Sequence, residues 1–243
     1  MVRVVERSDI GDGVWTITLD RPERRNAVDH ATLLELLAAQ RRLVDARAVV
    51  LCGEPPAFCA GADLTGVEEG AFNASLAEVL HGFVAMAAPV IAAIDGPALG
   101  AGAQLAAVCD LRVATPESVV GVPAARLGLV IDQWTIDRLR NEFGPATARG
   151  MLLAAETYSG ERLHASGAVH RLGALDDALD WAGQIAQLAP LSLAAHKVGL
   201  DADGTTEHRD NFELLRAAAW SSDDAHEGRT AFLEKRRPAF HGR

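Results

Sequence analysis

A glycine-rich turn near the middle of the sequence arranges backbone groups in a way that suits catalysis. The turn Leu99–Gly102 opens a segment, beginning with Gln104 and Leu105, that is expected to be helical. The first N–H groups of a helix have no partner within it and lie at the positive end of its dipole. Such groups stabilise a carbonyl oxygen that gathers negative charge, and small residues let the carbonyl approach closely. An ordinary strand-to-helix turn explains the same residues equally well. A dinucleotide-binding loop fits poorly, because the third glycine of GxGxxG is missing.

Three kinds of side chain were considered for contact with a ligand: two adjacent arginines, a cysteine and the histidines. Arg24 and Arg25 are adjacent guanidinium groups, which bind phosphate well, although solvated surface charge is an equally common role. Cys59 has no identifiable histidine partner, so a buried, inert thiol is favoured over a nucleophile. The eight histidines show no spacing typical of a metal site, and the sequence predicts no metal.

Composition narrows the class of protein. A chain of 243 residues allows one large α/β domain, or a domain with a helical appendage. The net charge of −10 argues against nucleic acid as the main partner. Cys52, Cys59 and Cys109 lack CxxC spacing and are expected to be reduced thiols. No apolar run is long enough to span a bilayer, and the first residues lack the apolar core of a signal peptide. We therefore expect a cytoplasmic protein without an integral membrane segment.

Strands and helices alternate in the first half of the chain. Apolar patterning predicts strands at VRVVER, VWTITL, AVVLC, PVIAAI, LRVA and SVVGV. Helical spacing predicts helices over DHATLLELLAAQRRLVDA and around NASLAEVLHGFVAM, with the loop EPPAFCAGADL between them. Beyond Trp134 nearly everything is predicted to be helical, including a long stretch from about Thr206 to Phe232. This order predicts an α/β core, residues 1–190, followed by a helical region, residues 191–243.

Four separated segments resemble the crotonase (enoyl-CoA hydratase/isomerase) superfamily. They are DRPERRNAV, FCAGADL, IDGPALGAGAQLAAVCDLRVA and EGRTAFLEKRRPAF. Each is weak alone, but their order and spacing are specific, and the likeness runs from about Val2 to Phe240. The resemblance implies an α/β fold, a spiral of ββα units whose C-terminal helices build a homotrimer or a dimer of trimers. It also implies a fatty acyl thioester of coenzyme A as the ligand, with no covalently bound cofactor.

The resemblance assigns roles to individual residues. The backbone N–H groups of Ala62 and Ala101 become the two donors of an oxyanion hole. His81 and Trp134 flank the acyl chain, although a surface histidine and a packed core tryptophan are the commoner roles. The remaining acyl-pocket positions are Gly100 and Gln104. The positions implied to contact coenzyme A are Arg24, Arg25, Ala27, Ala60, Gly61, Asp63, Leu64 and Lys235, the last often from a neighbouring subunit.

The acid/base pair that the family uses for hydration is missing. In family hydratases two glutamates activate water and deliver a proton to the α-carbon, and the isomerases keep the second of them. The matching positions hold Gln104, in GAGAQL, and Ala124, in VGVPAA. Glutamine exchanges no proton near neutral pH and alanine offers no polar group, while such groups typically contribute about a hundred- to ten-thousandfold in rate. We therefore predict no enoyl-CoA hydratase activity.

Asp132 leaves a second functional hypothesis open. It occupies a region where aryl-CoA dehalogenases place a nucleophilic aspartate and some isomerases a base, but an N-cap for the following helix is the favoured role. Within the family the chain is most similar to a catalytically incomplete homologue of mycolic-acid-making bacteria. That likeness implies an acyl-CoA carrier for lipid metabolism, with type II fatty-acid synthase components as partners. The alternative is an isomerase, hydrolase or dehalogenase that uses Asp132.

Overall fold

A six-stranded sheet and a smaller three-stranded sheet form the frame of the computed structural model, which describes residues 1–63, 65, 69–202 and 204–243. The strands are β1 (Val2–Glu6), β2 (Val14–Leu19), β3 (Ala48–Gly53), β4 (Val90–Ile94), β5 (Pro97–Leu99), β6 (Leu111–Ala114), β7 (Val119–Gly121), β8 (Thr157–Ser159) and β9 (Arg171–Leu172). The helices are α1 (His30–Arg42), α2 (Glu69–Ala85), α3 (Ala101–Val108), α4 (Gln133–Phe143), α5 (Pro145–Leu153), α6 (Gly160–Ala165), α7 (Leu175–Ile185), α8 (Pro190–Leu200), α9 (Thr206–Ser221) and α10 (Asp223–Glu234).

The larger sheet has the strand order β1-β2-β3-β4-β6-β9. Only the β1–β2 pair is antiparallel; the other neighbours run parallel. Strands β3 and β4 are the apolar runs AVVLCG and VIAAI, and nearly all of their residues are buried. Continuous apolar strands are expected where helices cover both faces of a parallel sheet.

Alternate residues of β3 serve two different cores. Val49 and Leu51 belong to the larger apolar cluster, which includes residues of α1, α2 and α3. Val50 and Cys52 belong to the second cluster, which includes residues of α7 such as Leu179. Successive side chains of a strand point to opposite faces. The sheet therefore separates α7 from α1, α2 and α3, and α3 is the helix that begins at the glycine turn.

The smaller sheet positions the start of α3. Strand β5 pairs parallel with β7, and β7 pairs antiparallel with β8. The Leu99–Gly121 pair is the last of the β5–β7 ladder, and the N–H of Gly100 then donates to the carbonyl of Gly121 at 2.9 Å. The segment leading to Ala124 therefore lies directly beside the turn that opens α3.

The structure corrects three parts of the sequence interpretation. The region beyond Trp134 is not uniformly helical, because β8 and β9 lie within it. The predicted long helix is two helices, since Ser222 is extended (ψ 156°) and its hydroxyl caps α10 by accepting from the N–H of Ala225. Helix α1 also ends at Arg42, four residues before the predicted end.

Candidate functional site: two backbone loops at the start of α3

The two loops singled out in the sequence lie against each other. The N–H of Cys59 donates to the carbonyl of Pro97 at 2.9 Å, and the N–H of Leu99 donates to the carbonyl of Cys59, also at 2.9 Å. The contact continues into α3, because a Cβ atom on Gly102 would stand only 2.1 Å from the Cys59 oxygen. Glycine is therefore required there by the approach of the two backbones.

Two unpaired backbone donors lie where these loops meet. Within the described part of the chain, neither the N–H of Ala62 nor that of Ala101 donates to a protein oxygen. Ala101 is the first residue of α3, where N–H groups have no intrahelical partner. Gly61 and Gly100 have positive φ angles of 116° and 53°, and a Cβ atom on Gly61 would lie 4.0 Å from the Ala101 nitrogen. The arrangement can stabilise a developing oxyanion; the role of the two donors remains a prediction.

Gln104 and Ala124 lie near the start of α3, where the two loops meet. Gln104 lies in the first turn of α3 and is 7% exposed, and its amide has no hydrogen-bond partner among the described residues. Ala124 begins the 3-10 turn Ala124–Leu127, three residues after Gly121. It lines a cavity of about 560 Å³ whose other walls are largely apolar residues of α4, of α5 and of the segment that precedes α4, including Val130 and Leu152.

Asp132 caps α4. Its carboxylate accepts from the N–H of Thr135 at 3.0 Å and from the Thr135 hydroxyl at 2.7 Å. Burial raises the pKa of the Asp132 carboxyl, but the hydrogen bonds from Thr135 outweigh it, so the pKa lies below its ordinary value. The side chain is therefore an ionised cap, the role that the sequence favoured.

His81 and Trp134 stack on each other. Their ring centroids are 4.0 Å apart and the planes are inclined by 20°. His81 is exposed on α2, whereas Trp134 is partly buried and packs against the larger apolar cluster. The structure thus brings together the two rings assigned to the acyl pocket, and their role toward a ligand stays a prediction.

Backbone hydrogen bonds fix the loop that carries Arg24 and Arg25. Arg24 and Arg25 are exposed, and the carbonyl of Arg25 accepts from the N–H of Ala60 at 2.9 Å. Ala27 follows them, partly buried, and its carbonyl accepts from the Arg21 guanidinium at 2.7 Å. The loop is therefore joined to the FCAGADL loop through Ala60, and neither guanidinium group has an ion-pair partner among the described residues.

Arg21 and Asn26 position this loop, and sequence reasoning missed both. Arg21 pairs with Asp29 at 3.0 Å and with Asp63 at 3.1 Å. The amide of Asn26 donates to the carbonyls of Glu54 and Ala57 and accepts from the N–H of Arg21. The N–H of Thr65 and the Arg21 guanidinium hold the pKa of the Asp63 carboxyl below its ordinary value.

Comparison with known proteins decides the family. The model of the enoyl-CoA hydratase/isomerase family matches residues 9–243. A Mycobacterium tuberculosis protein named probable enoyl-CoA hydratase echA6 is 44% identical over 239 residues, which cover 95% of this chain and 97% of that protein. The chain belongs to the enoyl-CoA hydratase/isomerase family. The 2,3-dehydroadipyl-CoA hydratase of Escherichia coli is another relative, 34% identical over 249 residues that cover 95% of this chain and 96% of the other.

Solved structures of the family confirm the predicted fold. An enoyl-CoA hydratase/carnithine racemase from Magnetospirillum magneticum superposes with a TM-score of 0.87 at 28% identity, over 100% of this chain and 96% of the other. An enoyl-CoA hydratase from Bacillus anthracis gives 0.88 at 25% identity, over 100% and 99%. The crotonase-like α/β architecture with a helical C-terminal region was therefore predicted correctly.

Three other residues were considered in the sequence analysis. Cys59 is fully buried, and burial raises the pKa of its thiol to about 12, which makes it a poor nucleophile. Lys235 is exposed just after α10, with a left-handed φ of 56°. Leu64 lies outside the described residues, so its assignment stays a prediction from the sequence.

The described residues include neither a candidate metal centre nor a candidate membrane span. Among them, no three His, Cys, Asp or Glu side chains lie close enough together to hold a metal ion. None of the described helices combines the length and apolar content needed to cross a bilayer.

Proposed function

We propose that this chain binds fatty acyl-CoA thioesters and releases them without hydrating them. The observation that carries the proposal is a combination of two features. Ala62 N–H and Ala101 N–H have no acceptor among the described residues, and Gln104 and Ala124 stand at the positions where the family resemblance places glutamates. The first pair supports thioester binding. The second pair leaves no group there that exchanges a proton with water.

Binding rests on three kinds of contact. The thioester oxygen accepts from the two backbone donors, at the positive end of α3. The phosphates of coenzyme A pair with Arg24 and Arg25, which have no ion-pair partner among the described residues. The apolar chain passes the stacked rings of His81 and Trp134 towards the apolar cavity beside Ala124.

Hydration lacks its proton-transfer groups. A general base must take a proton from water and a general acid must deliver one to the α-carbon. The amide of Gln104 orients a hydrogen-bonding group but exchanges no proton at neutral pH, and Ala124 presents only a methyl group. The carboxylate of Asp132 is occupied by the N–H and hydroxyl of Thr135, which favours a structural role over catalysis.

The biological setting belongs to the same proposal. The mycobacterial relative is named a probable enoyl-CoA hydratase, so the carrier role rests on the substituted glutamates rather than on that name. We propose a cytoplasmic protein that presents long-chain acyl-CoA to mycolic-acid metabolism, through type II fatty-acid synthase components. Residues 1–190 would bind the ligand, and residues 191–243 would build the homotrimer or dimer of trimers.

Calorimetric titration with saturated and trans-2-enoyl-CoAs of rising chain length tests the binding half of the proposal. We expect binding by the full chain, weakened about tenfold or more by Arg24→Ala with Arg25→Ala, because two charge-assisted phosphate contacts are lost. Arg41→Ala with Arg42→Ala removes two exposed arginines from the end of α1 and serves as the matched control. Failure of every acyl-CoA to bind, or equal weakening by both double variants, would contradict the proposal.

A further inference from the structure

Two guanidinium groups and two carboxylates form a chain of ion pairs beside the C-terminal end of α3. Arg112 of β6 pairs with Glu142 of α4 at 2.6 Å, and Glu142 also pairs with Arg138 of the same helix at 3.6 Å. The guanidinium of Arg138 donates in turn to the carboxylate of Asp201, the residue that follows α8. Between 3% and 21% of each side chain is exposed, so water and salt screen these pairs less than surface pairs. The ion pairs therefore connect β6, α4 and the end of α8.

Arg138 also contacts α3 itself. Its Nε donates to the carbonyl of Ala107 at 3.1 Å, in the last turn of α3, while Nη1 donates to Asp201 and Nη2 pairs with Glu142. The last carbonyls of a helix have no partner within it, and a cation near them interacts favourably with the macrodipole. Because the guanidinium group is planar and rigid, its three nitrogens hold their three partners in a fixed arrangement. One side chain therefore fixes the end of α3 relative to the end of α8.

Helix α3 is short and closely packed between this guanidinium group and the glycine turn. Six residues separate Ala101 from Ala107, so the two lie about 9 Å apart along the helix axis. All eight residues of α3 are buried, and closely packed interiors transmit strain. At the other end, the Cys59 oxygen leaves no room for a Cβ atom on Gly102. A shift of the last turn of α3 therefore moves the Ala101 N–H relative to the FCAGADL loop.

We propose that Arg138 is a positioning residue for the thioester site, which it affects through α3. It holds α3 where the Ala101 N–H can donate to the thioester oxygen, and Asp201 holds Arg138. The benefit of such a donor depends on its distance from the oxygen, and an error of about an ångström removes much of it. This inference rests on the proposed acyl-CoA binding, and it adds a route by which the C-terminal helices influence that site.

Infrared spectroscopy of acyl-CoA with an isotope-labelled thioester carbonyl, bound to the full chain, tests the positioning. Hydrogen bonds from Ala62 and Ala101 polarise the C=O bond, so we expect a lower carbonyl stretching frequency in the unaltered chain than in Arg138→Met. Calorimetry is expected to show binding weakened up to about tenfold in Arg138→Met, the factor that corresponds to one net hydrogen bond. Arg138→Lys retains the cation and is expected to restore part of both values. Asp201→Asn removes the charge at the end of α8 and is expected to raise the frequency by less than Arg138→Met does.

Arg216→Met is the matched control, since it removes an exposed ion pair with Glu213 from α9 and is expected to change neither the frequency nor the affinity. A less stable Arg138→Met protein whose bound ligand keeps the frequency of the unaltered complex would overturn the inference, because Arg138 would then act on folding alone. Where Arg138→Met does not fold, unchanged frequencies in Arg138→Lys and Asp201→Asn would overturn it as well. Failure of the unaltered chain to bind acyl-CoA would overturn the proposed function, and this inference with it.

Discussion

In the proposed function, Gln104, Ala124 and Asp132 are the side chains that separate acyl-CoA binding from catalysis. An amide and a methyl group stand at the positions where family likeness places the two glutamates of a hydratase. The nearby carboxylate of Asp132 accepts two hydrogen bonds from Thr135 at the start of α4. On this account Asp132 contributes to the stability of a helix, and acyl-CoA binding does not depend on its charge.

Two substitutions of Asp132 test that role. Asp132→Asn keeps an oxygen that can cap α4, so we expect an almost unchanged free energy of unfolding. Asp132→Ala removes the cap and is expected to cost about 1 kcal/mol. Denaturant unfolding measures both values, and calorimetry with acyl-CoA is expected to give the same affinity for the two variants. A reaction of acyl-CoA that the unaltered chain performs and Asp132→Asn abolishes would assign catalysis to this residue.

The buried thiols predict a loss of stability at alkaline pH. Burial raises the pKa of the Cys59 and Cys109 thiols from 9.0 to about 12. The folded state therefore favours the protonated thiols, and their contribution is complete below pH 9 and is lost progressively between pH 9 and pH 12. We expect each thiol to cost roughly 1 kcal/mol of stability per pH unit in that range.

Denaturant unfolding at pH 7 and pH 10 measures this effect. The variant Cys59→Ala with Cys109→Ala is expected to be less stable at pH 7, because two buried groups are truncated. Its further loss between the two pH values should be smaller than that of the unaltered chain. An identical loss in both proteins would mean that the thiols do not couple folding to pH.

Residue types were predictable from the sequence, and their supporting partners were not. The glycine turn, Cys59 and the Asp132 cap all follow from local chemistry within a few residues. Arg21 and Asn26 escaped notice because their partners are distant in the chain: Arg21 bonds to Asp63, and Asn26 to Glu54 and Ala57. One local signal existed, since an asparagine can adopt the positive φ of 58° that Asn26 has.

At the scale of elements, the two ends of α3 have different surroundings. Its N-terminus carries the unpaired donor of Ala101, while the guanidinium of Arg112 donates to the carbonyls of Ala106 and Cys109 at 3.1 and 2.8 Å. Arg138 donates to the carbonyl of Ala107 at 3.1 Å. Cations at a helix C-terminus interact favourably with the macrodipole and satisfy its last carbonyls. A helix of only eight residues is thereby fixed at the end remote from the glycine turn.

The contact between α3 and the FCAGADL loop is expected to tolerate no side chain at Gly102. The methyl group of Gly102→Ala would meet the Cys59 carbonyl oxygen at 2.1 Å, so the loops must separate. We expect a loss of about 1–3 kcal/mol in unfolding free energy, and weaker acyl-CoA binding in calorimetry. Gly70→Ala is the matched control, because no atom of the described residues lies within 4 Å of its Cβ position and the change favours a helix by up to about 1 kcal/mol. Normal acyl-CoA affinity in a folded Gly102→Ala protein would contradict the assigned geometry of the donors.

Strands with a clear apolar run were predicted well, whereas three short strands were not. The strands of the larger sheet up to β6 have apolar runs that are visible in the sequence. Strands β5, β8 and β9 have only two or three residues each, too few to show a period. The break at Ser222 did have a local signal, since serine followed by Asp223 and Asp224 is typical of a helix N-terminus.

At the scale of the whole molecule, a buried ion pair joins the C-terminal helices to the α/β core. Lys197 of α8 is 6% exposed, and its ammonium group donates to Asp110 at 2.8 Å and to the carbonyls of Phe83 and Ala88. Asp110 also accepts from the N–H of Val90. One side chain therefore connects α8 with the end of α2, the start of β4 and the turn before β6.

Lys197→Met tests whether this connection fixes the C-terminal region. Removing the ammonium leaves the largely buried carboxylate of Asp110 without its ion-pair partner. Breaking a buried ion pair costs about 3–5 kcal/mol of unfolding free energy. Arg216→Met is the control, since its pair with Glu213 is exposed and contributes about 1 kcal/mol or less. Denaturant unfolding gives the stabilities, and limited proteolysis is expected to cleave α8–α10 faster in Lys197→Met alone. Equal stability losses in the two variants would contradict this role.

The central claim is that the chain holds an enoyl-CoA without adding water to it. Incubation with trans-2-enoyl-CoA in water labelled with heavy oxygen, followed by mass spectrometry of the recovered ligand, measures this directly. We predict that the enoyl-CoA remains bound and is recovered unchanged, with no incorporated label, while an active hydratase under the same conditions produces labelled 3-hydroxyacyl-CoA. Recovery of labelled 3-hydroxyacyl-CoA from this chain would contradict the claim, because Gln104 and Ala124 would then not have removed the chemistry of hydration.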